Sequence, residues 1–170
     1  MNKQKCLFCK KLKGHAKNIA ILVPEYREKK LLFYETNHFY LTAELHPVVK
    51  DPYFLIVPKK HYKAFSQINI SYAKEMDEII QYLRGLFIKT SYVIFEHGEV
   101  YEKNKIQSVH HAHSHVILTN TNYLSYIEAK MQEYKMKTSL IKFTDNSTLR
   151  EVQKKIKDKS YLLFRQGFNS

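Results

Sequence analysis

The chain has 170 residues, a length that favours one domain and allows a core to form without disulfide support. Its composition is 44% hydrophobic and 14% aromatic, which excludes a disordered chain. The net charge of +12 favours anionic partners, but nucleotides, nucleic acids and anionic membranes all qualify. Because no secretory signal is apparent and no apolar run approaches the ~18 residues of a membrane span, we expect a cytoplasmic protein without a membrane partner.

The order of apolar patterns predicts an α+β fold. Runs rich in aromatic and β-branched residues predict strands at 18–24, 30–36, 38–45, 53–57, 92–95, 107–119 and 161–164. Apolar residues at three- and four-residue spacing predict helices over 71–90, around 124–134 and around 149–156. Thr148 and Glu151 have the spacing of a capping box at the start of the last helix. Strands without regular βαβ alternation favour an antiparallel sheet.

Four of the nine histidines fall within six residues. In a strand, successive side chains point to opposite faces, so His111, His113 and His115 would line one face and His110 the other. Both nitrogens of an imidazole need partners, so burial alone does not explain three in a row. Two uses stay open: the histidines bind a metal, or one of them is a nucleophile toward phosphorus. If one histidine is a nucleophile, Ser108 would add a hydroxyl group that can donate a hydrogen bond.

The only cysteines are Cys6 and Cys9. A pair with this spacing in a cytosolic chain indicates metal binding or redox chemistry rather than a disulfide framework.

The histidine cluster resembles the motif of the histidine triad (HIT) nucleotide hydrolases and transferases. That family carries His-φ-His-φ-His-φ-φ, where φ is apolar, and residues 111–117 read His-Ala-His-Ser-His-Val-Ile. The preceding residues 107–109, Gln-Ser-Val, are similar to the segment that introduces the family motif. Residues 55–61, Leu-Ile-Val-Pro-Lys-Lys-His, resemble an upstream strand, and residues 6–9, Cys-Leu-Phe-Cys, resemble the start of the zinc-containing bacterial branch. The resemblance covers about residues 6–119.

This resemblance implies a HIT-like domain over residues 1–120, with an N-terminal zinc knuckle and a five-stranded antiparallel sheet beside a long helix. Residues 121–170 would form a helical C-terminal extension packed on the same domain. The family usually forms homodimers, so the resemblance also implies a homodimer, with a purine nucleotide as substrate.

Roles for single residues follow from the same resemblance. His113, the middle histidine, would be the nucleophile, and His115 and Ser108 would contact the phosphate or the leaving group. Gln107 would also bind substrate. Glu44 would bind the ribose hydroxyls, at a position where the family usually has Asp.

The zinc-containing branch implies a structural Zn²⁺ with four ligands. These ligands would be Cys6, Cys9, His61 and His111. Glu96 and Ser114 also depart from the family pattern: Glu96 stands where many members have Asn, and Ser114 replaces an apolar residue. His97 follows Glu96, and we expect it to be an exposed loop residue rather than a phosphate contact.

We therefore expect an enzyme that hydrolyses or transfers a nucleoside monophosphate from a phosphoramidate or a (di)nucleoside polyphosphate. The reaction would pass through a nucleotidyl-His113 intermediate. Two alternatives stay open. One is a non-catalytic protein that binds nucleotides or RNA, and the other is a hydrolase whose metal is held by His111, His113 and His115. The basic segment 150–159 keeps nucleic acid as a further candidate partner.

Overall fold

The computed structural model describes residues 6, 8–9, 32–44, 46–98, 111–135, 146–156 and 159–167. The predicted strand at 18–24 and the site candidates Gln107 and Ser108, together with His110, lie outside the described residues. Among the helices of the described ranges, none is long and apolar enough to cross a membrane.

The strands form one antiparallel sheet. They are β1 (Leu32–Glu35), β2 (Phe39–Ala43), β3 (Tyr53–Pro58), β4 (Tyr92–Gly98), β5 (Ser114–Leu118) and β6 (Tyr161–Gly167). Their order is β1-β2-β3-β5-β4-β6, and each neighbouring pair is antiparallel. The predicted α+β class with an antiparallel sheet is confirmed, whereas the count of five strands is wrong because β6 adds a sixth.

The sixth strand covers the edge of β4, whose backbone donors and acceptors would otherwise lack strand partners. The two strands pair over seven residues each, from Tyr92 opposite Gly167 to Gly98 opposite Tyr161. At both ends a tyrosine ring lies over the opposing glycine. A Cβ atom at Gly98 would lie 2.2 Å from Cζ of Tyr161, and one at Gly167 would lie 2.2 Å from Cζ of Tyr92. A side chain at either position would therefore require the tyrosine ring to move.

Three α-helices are described: α1 (Ala73–Leu86), α2 (Tyr123–Glu133) and α3 (Asn146–Ile156). Two short 3-10 helices, Phe65–Gln67 and Ile70–Tyr72, precede α1. The first is shorter than the predicted helix over 71–90, because the chain leaves the helical path at Phe87 and Lys89 has a φ of 64°. The third begins at Asn146, so Thr148 lies inside it and the predicted capping box is wrong.

The sheet buries both of its faces. One face packs against α1, with Leu41, Ile56 and Val116 in contact with its buried residues. The neighbouring positions Tyr40, Leu55 and Ile117 point the other way and pack with Cys6 and Phe8. Each fully buried aliphatic side chain contributes about 1.5–3 kcal/mol relative to exposure. The second half of the histidine motif therefore lies on β5, a strand with packed side chains on both of its faces.

Candidate active site and metal centre

Two cysteines and two histidines meet on the sheet face that lies away from α1. The potential ligand atoms of Cys6, Cys9, His61 and His111 all lie within 4.8 Å of one another. Cys6 and His111 are fully buried, and the ring centroids of the two histidines are 4.7 Å apart. A residue pair from the N-terminal segment is thus brought against residues that follow β3 and precede β5.

The protonation state of His111 is fixed by its backbone neighbour. Its Nε2 lies 2.8 Å from the carbonyl oxygen of Pro58, which can only accept a hydrogen bond, so Nε2 carries the proton. Nδ1 then presents its lone pair, 3.3 Å from Sγ of Cys6 and 3.6 Å from Sγ of Cys9. Burial lowers the pKa of His111 to about 4, so its imidazole is neutral at neutral pH. Neutral imidazole is the form that binds a metal.

These distances fit a tetrahedral metal ion. Zinc bonds of about 2.3 Å to sulfur and about 2.0–2.1 Å to nitrogen give a sulfur-to-nitrogen edge of about 3.6 Å in a tetrahedron. The observed separations are 3.3 Å and 3.6 Å for His111, and 3.5 Å between Nδ1 of His61 and Sγ of Cys9. The four residues therefore form a possible metal site, in which three of the ligand separations match those of a tetrahedral ion.

His113 has a similarly fixed tautomer. Its Nδ1 donates a hydrogen bond of 2.7 Å to the backbone carbonyl oxygen of His111, which leaves Nε2 as the nitrogen with a lone pair. Burial lowers the pKa of His113, although the hydrogen bond to that carbonyl and the charge of Glu44 oppose the shift. At neutral pH the ring is neutral, and Nε2 has the electronic form of a nucleophile.

His115 lies beside His113, with ring centroids 4.9 Å apart. The hydroxyl of Tyr53 lies 2.9 Å from its Nδ1, and a carboxylate oxygen of Glu44 lies 3.9 Å from the same atom. Its ring stacks on Phe95 at 4.5 Å. Burial, and after it the neighbouring His113, lowers the pKa of His115 to about 3. Burial raises the pKa of Tyr53, so its hydroxyl stays protonated and can donate to Nδ1 of His115.

An open cavity of about 540 Å³ lies beside these groups. It is lined by Glu44, Pro47, Val48, Val49, Lys50, Asp51 and Tyr53. Glu44 and Tyr53 therefore line the cavity and also face His115. The cavity lies within the usual range of about 300–1,000 Å³ for small-molecule sites.

The structure brings together Glu44, His113 and His115. The catalytic and binding roles assigned to them stay predictions. Tyr53 and Phe95 also contact His115 but did not emerge from the sequence. Their positions follow from strand register, since Phe95 lies opposite His115 across the β4–β5 pair.

Two residues of β4 bear on the site, and the expectation that His97 lies in a loop is wrong. The side chain of Glu96 points to the opposite face of the sheet, where its carboxylate accepts hydrogen bonds from Phe65 and Tyr161. It therefore has no contact with the histidine site. His97 belongs to β4 rather than to a loop, and although exposed it lies close enough to His113 to lower the pKa of that residue.

Solved structures with a similar architecture include histidine triad proteins. A Hit-like protein matches with a TM-score of 0.50 and 19% identity, over 68% of this chain and 99% of its own. A HIT family member from Bacillus subtilis matches with a TM-score of 0.50 and 19% identity, over 90% of this chain and 95% of its own. A hypothetical protein from Leishmania major matches with a TM-score of 0.52 and 15% identity, over 92% of this chain and 96% of its own.

No protein-family model matches the sequence, and no curated protein matches it. The identities to the solved structures establish similarity of fold. The chain has the fold of the histidine triad proteins.

Proposed function

We propose that this chain, which has the histidine triad fold, is a nucleotide hydrolase or nucleotidyl transferase with His113 as its nucleophile. The observation that carries the proposal is the hydrogen bond from Nδ1 of His113 to the carbonyl oxygen of His111. This bond selects the tautomer whose Nε2 has a free electron pair, and it orients the ring. A histidine whose role was only to pack in the core would not need this arrangement beside two further imidazoles.

The reaction proceeds in two displacements. Nε2 of His113 attacks the α-phosphorus, a P–N bond forms, and the bond to the leaving group breaks with its electron pair remaining on that group. A proton from a nearby donor then neutralises the leaving amine or phosphate. In the second step water or another acceptor gives up a proton, attacks the same phosphorus and breaks the P–N bond, whose electron pair returns to Nε2 of His113. Water releases the nucleoside monophosphate, whereas another acceptor leaves carrying the nucleotidyl group. His115 donates a hydrogen bond from Nε2 to a phosphoryl oxygen, because the Tyr53 hydroxyl donates to its Nδ1.

The substrate is a purine nucleoside phosphoramidate or a (di)nucleoside polyphosphate. Glu44 has a carboxylate at the border between the cavity of about 540 Å³ and His115. A carboxylate at that place can accept hydrogen bonds from both ribose hydroxyls while the α-phosphate lies at the histidines. The surplus of 12 positive charges raises the local concentration of such anionic substrates.

The ion at Cys6, Cys9, His61 and His111 is a structural Zn²⁺. Two thiolates and two imidazoles are the donor set of closed zinc sites. The ion would cross-link the N-terminal segment to the sheet and hold His111, whose carbonyl orients His113. The ion therefore contributes to the stability of the fold and to the geometry of the histidine site.

The alternative of a metal held by all three motif histidines is not supported. Among the described residues, the group close enough to hold a metal contains His111 but neither His113 nor His115. A homodimer stays part of the proposal. Because β6 already covers β4, a second copy would bind at another surface of the protomer.

The test is turnover of adenosine phosphoramidate and of a panel of dinucleoside polyphosphates by the full chain. We expect hydrolysis by the wild type and loss of at least about 1,000-fold in kcat for His113→Ala, with zinc content and unfolding free energy retained. His110→Ala, a neighbouring histidine without an assigned role, is the matched control and keeps activity. Nucleotide binding without turnover would contradict the proposal and favour the non-catalytic alternative.

A further inference from the structure

A second cavity, of about 350 Å³, lies on the opposite face of the sheet from His113. It is enclosed by α1, α3 and the β4–β6 pair. Its walls are mostly apolar and include Phe65, Met76, Ile80, Ile94, Val152 and Leu163, and Phe95 and Phe164 also border it. The volume lies at the lower end of the range for small-molecule sites.

Three polar side chains in this cavity are almost completely buried. Glu96 is 3% exposed, Ser114 is 4% exposed and Ser66 is 5% exposed. The hydroxyl oxygen of Ser66 has no hydrogen-bond partner among the described residues. Glu96 and Ser114 are also two of the positions at which the sequence departs from the histidine triad pattern. Buried polar groups cost free energy unless they are hydrogen-bonded, and a polar ligand in the cavity would supply the partner that the Ser66 hydroxyl lacks among the described residues.

Within the part of the chain that the structure describes, the carboxylate of Glu96 has two hydrogen-bond donors and forms no salt bridge. Oε1 accepts from the backbone N–H of Phe65 at 2.8 Å, and Oε2 accepts from the hydroxyl of Tyr161 at 2.6 Å. Burial raises the pKa of Glu96 to about 7, and the two donors lower it without overcoming burial. The charged residues that line the cavity are Arg165 and Asp77, which pair with each other at 3.8 Å and have exposed side chains.

We propose that this cavity binds a small amphipathic amine, whose ammonium group pairs with Glu96 and whose aromatic or branched hydrocarbon body contacts the apolar walls. An ammonium group supplies the missing positive charge and can also donate to the hydroxyl of Ser66. An anionic ligand would be repelled by Glu96, and a purely apolar ligand would leave the carboxylate without a counter-charge and the hydroxyl of Ser66 without a partner.

The site is separate from the histidine site. Glu96 and Ser114 point to one face of the sheet, whereas their neighbours Phe95 and His115 point to the other and stack on each other. The sheet therefore lies between the histidines and Glu96, with Phe95 bordering the cavity and stacking on His115. The amine site does not depend on the proposed reaction.

The experiment is a titration of the ¹⁵N-labelled full chain with 2-phenylethylamine, and with 2-phenylethanol and phenylacetate as neutral and anionic counterparts. We expect saturable amide shifts around Ser66, Glu96 and Val152, and none at His113 or His115. The alcohol binds at least tenfold more weakly and phenylacetate does not bind. These shifts are measured in the wild type, so they test the site even if a variant fails to fold.

Two substitutions complete the test. Glu96→Gln lowers the affinity for the amine at least tenfold, to that of the alcohol, whereas the matched control Glu133→Gln, on the surface of α2, leaves it unchanged. His113→Ala also leaves the amine affinity unchanged, so failure of the proposed reaction and failure of this site can be told apart. The inference is overturned if 2-phenylethylamine does not bind saturably, if it binds no better than the alcohol, or if its shifts centre on the histidines.

Discussion

The buried carboxylate of Glu96 makes stability depend on pH in a direction that can be calculated. Burial raises the pKa of this group from 4.5 to about 7 in the folded protein. Between these two values the folded state binds more protons than the unfolded state, so the free energy of unfolding falls as pH rises. At 1.36 kcal/mol for each tenfold change in proton affinity, the full loss is about 3 kcal/mol.

Glu96→Gln isolates this effect, because glutamine resembles the protonated carboxyl and does not titrate. We expect the stability of the variant relative to wild type to rise by about 2.5 kcal/mol between pH 5 and pH 8. The metal-free pKa values of His111, of His113 and of His115 are lowered, so these groups destabilise the fold as pH falls below about 6.5. Both proteins share that dependence, so it cancels in the difference.

The assay is urea unfolding of wild type, Glu96→Gln and Glu133→Gln at half-unit steps from pH 5 to pH 8. Glu133 has a side chain that is 56% exposed, so its substitution should leave the pH profile parallel to wild type. If Glu96→Gln also runs parallel to wild type within about 0.5 kcal/mol, the carboxyl is not perturbed and the reasoning is refuted.

Three further predictions concern the sheet edge, the metal and the histidine site. Gly98→Ala should destabilise the protein by about 2 kcal/mol or more in urea unfolding, because its Cβ would lie 2.2 Å from the ring of Tyr161. Gly85→Ala in α1, with no heavy atom within 4 Å of its Cβ, should instead stabilise by about 0.5–1 kcal/mol, and equal effects of the two would contradict the β4–β6 packing. Cys6→Ser should lose the bound zinc, as measured by elemental analysis, whereas His113→Ala should keep one ion per chain. If Cys6→Ser retains the metal, the proposed ligand set is wrong. Tyr53→Phe should lower kcat about tenfold with a change in unfolding free energy below about 1.5 kcal/mol, and an unchanged kcat would argue against its role in orienting His115.

Local sequence patterns were sufficient for the central part of the fold. Alternation and β-branched content located β2, β3 and β4, and the helical period located α1, because each of these signals comes from neighbouring residues. The sixth strand shows the limit of such patterns. Residues 161–164 read as a strand, but its partner was not predictable, because a pairing between β4 and β6 depends on register across about 70 residues of chain.

The main side chains of the candidate site were predictable from the sequence, but their orientations were not. The alternating histidines and the cysteine pair identified the groups that the structure brings together. Alternation alone suggested three equivalent imidazoles, whereas β5 begins only at Ser114, and His111 turns toward the cysteines. The hydrogen bond from His113 to the carbonyl of His111 could not be predicted from the sequence, because every residue has a backbone carbonyl group. Tyr53 was missed for a related reason, since its contact with His115 arises from strand pairing.

Covalent trapping tests directly whether His113 is the nucleophile. The full chain is mixed with a nucleotide substrate labelled at its α-phosphate, quenched in base to preserve a phosphoramidate bond, digested and mapped by mass spectrometry. We expect one nucleotidyl adduct on His113, absent from His113→Ala and present in His110→Ala. Substrate turnover with the label on another residue, or undiminished turnover by His113→Ala, would contradict it.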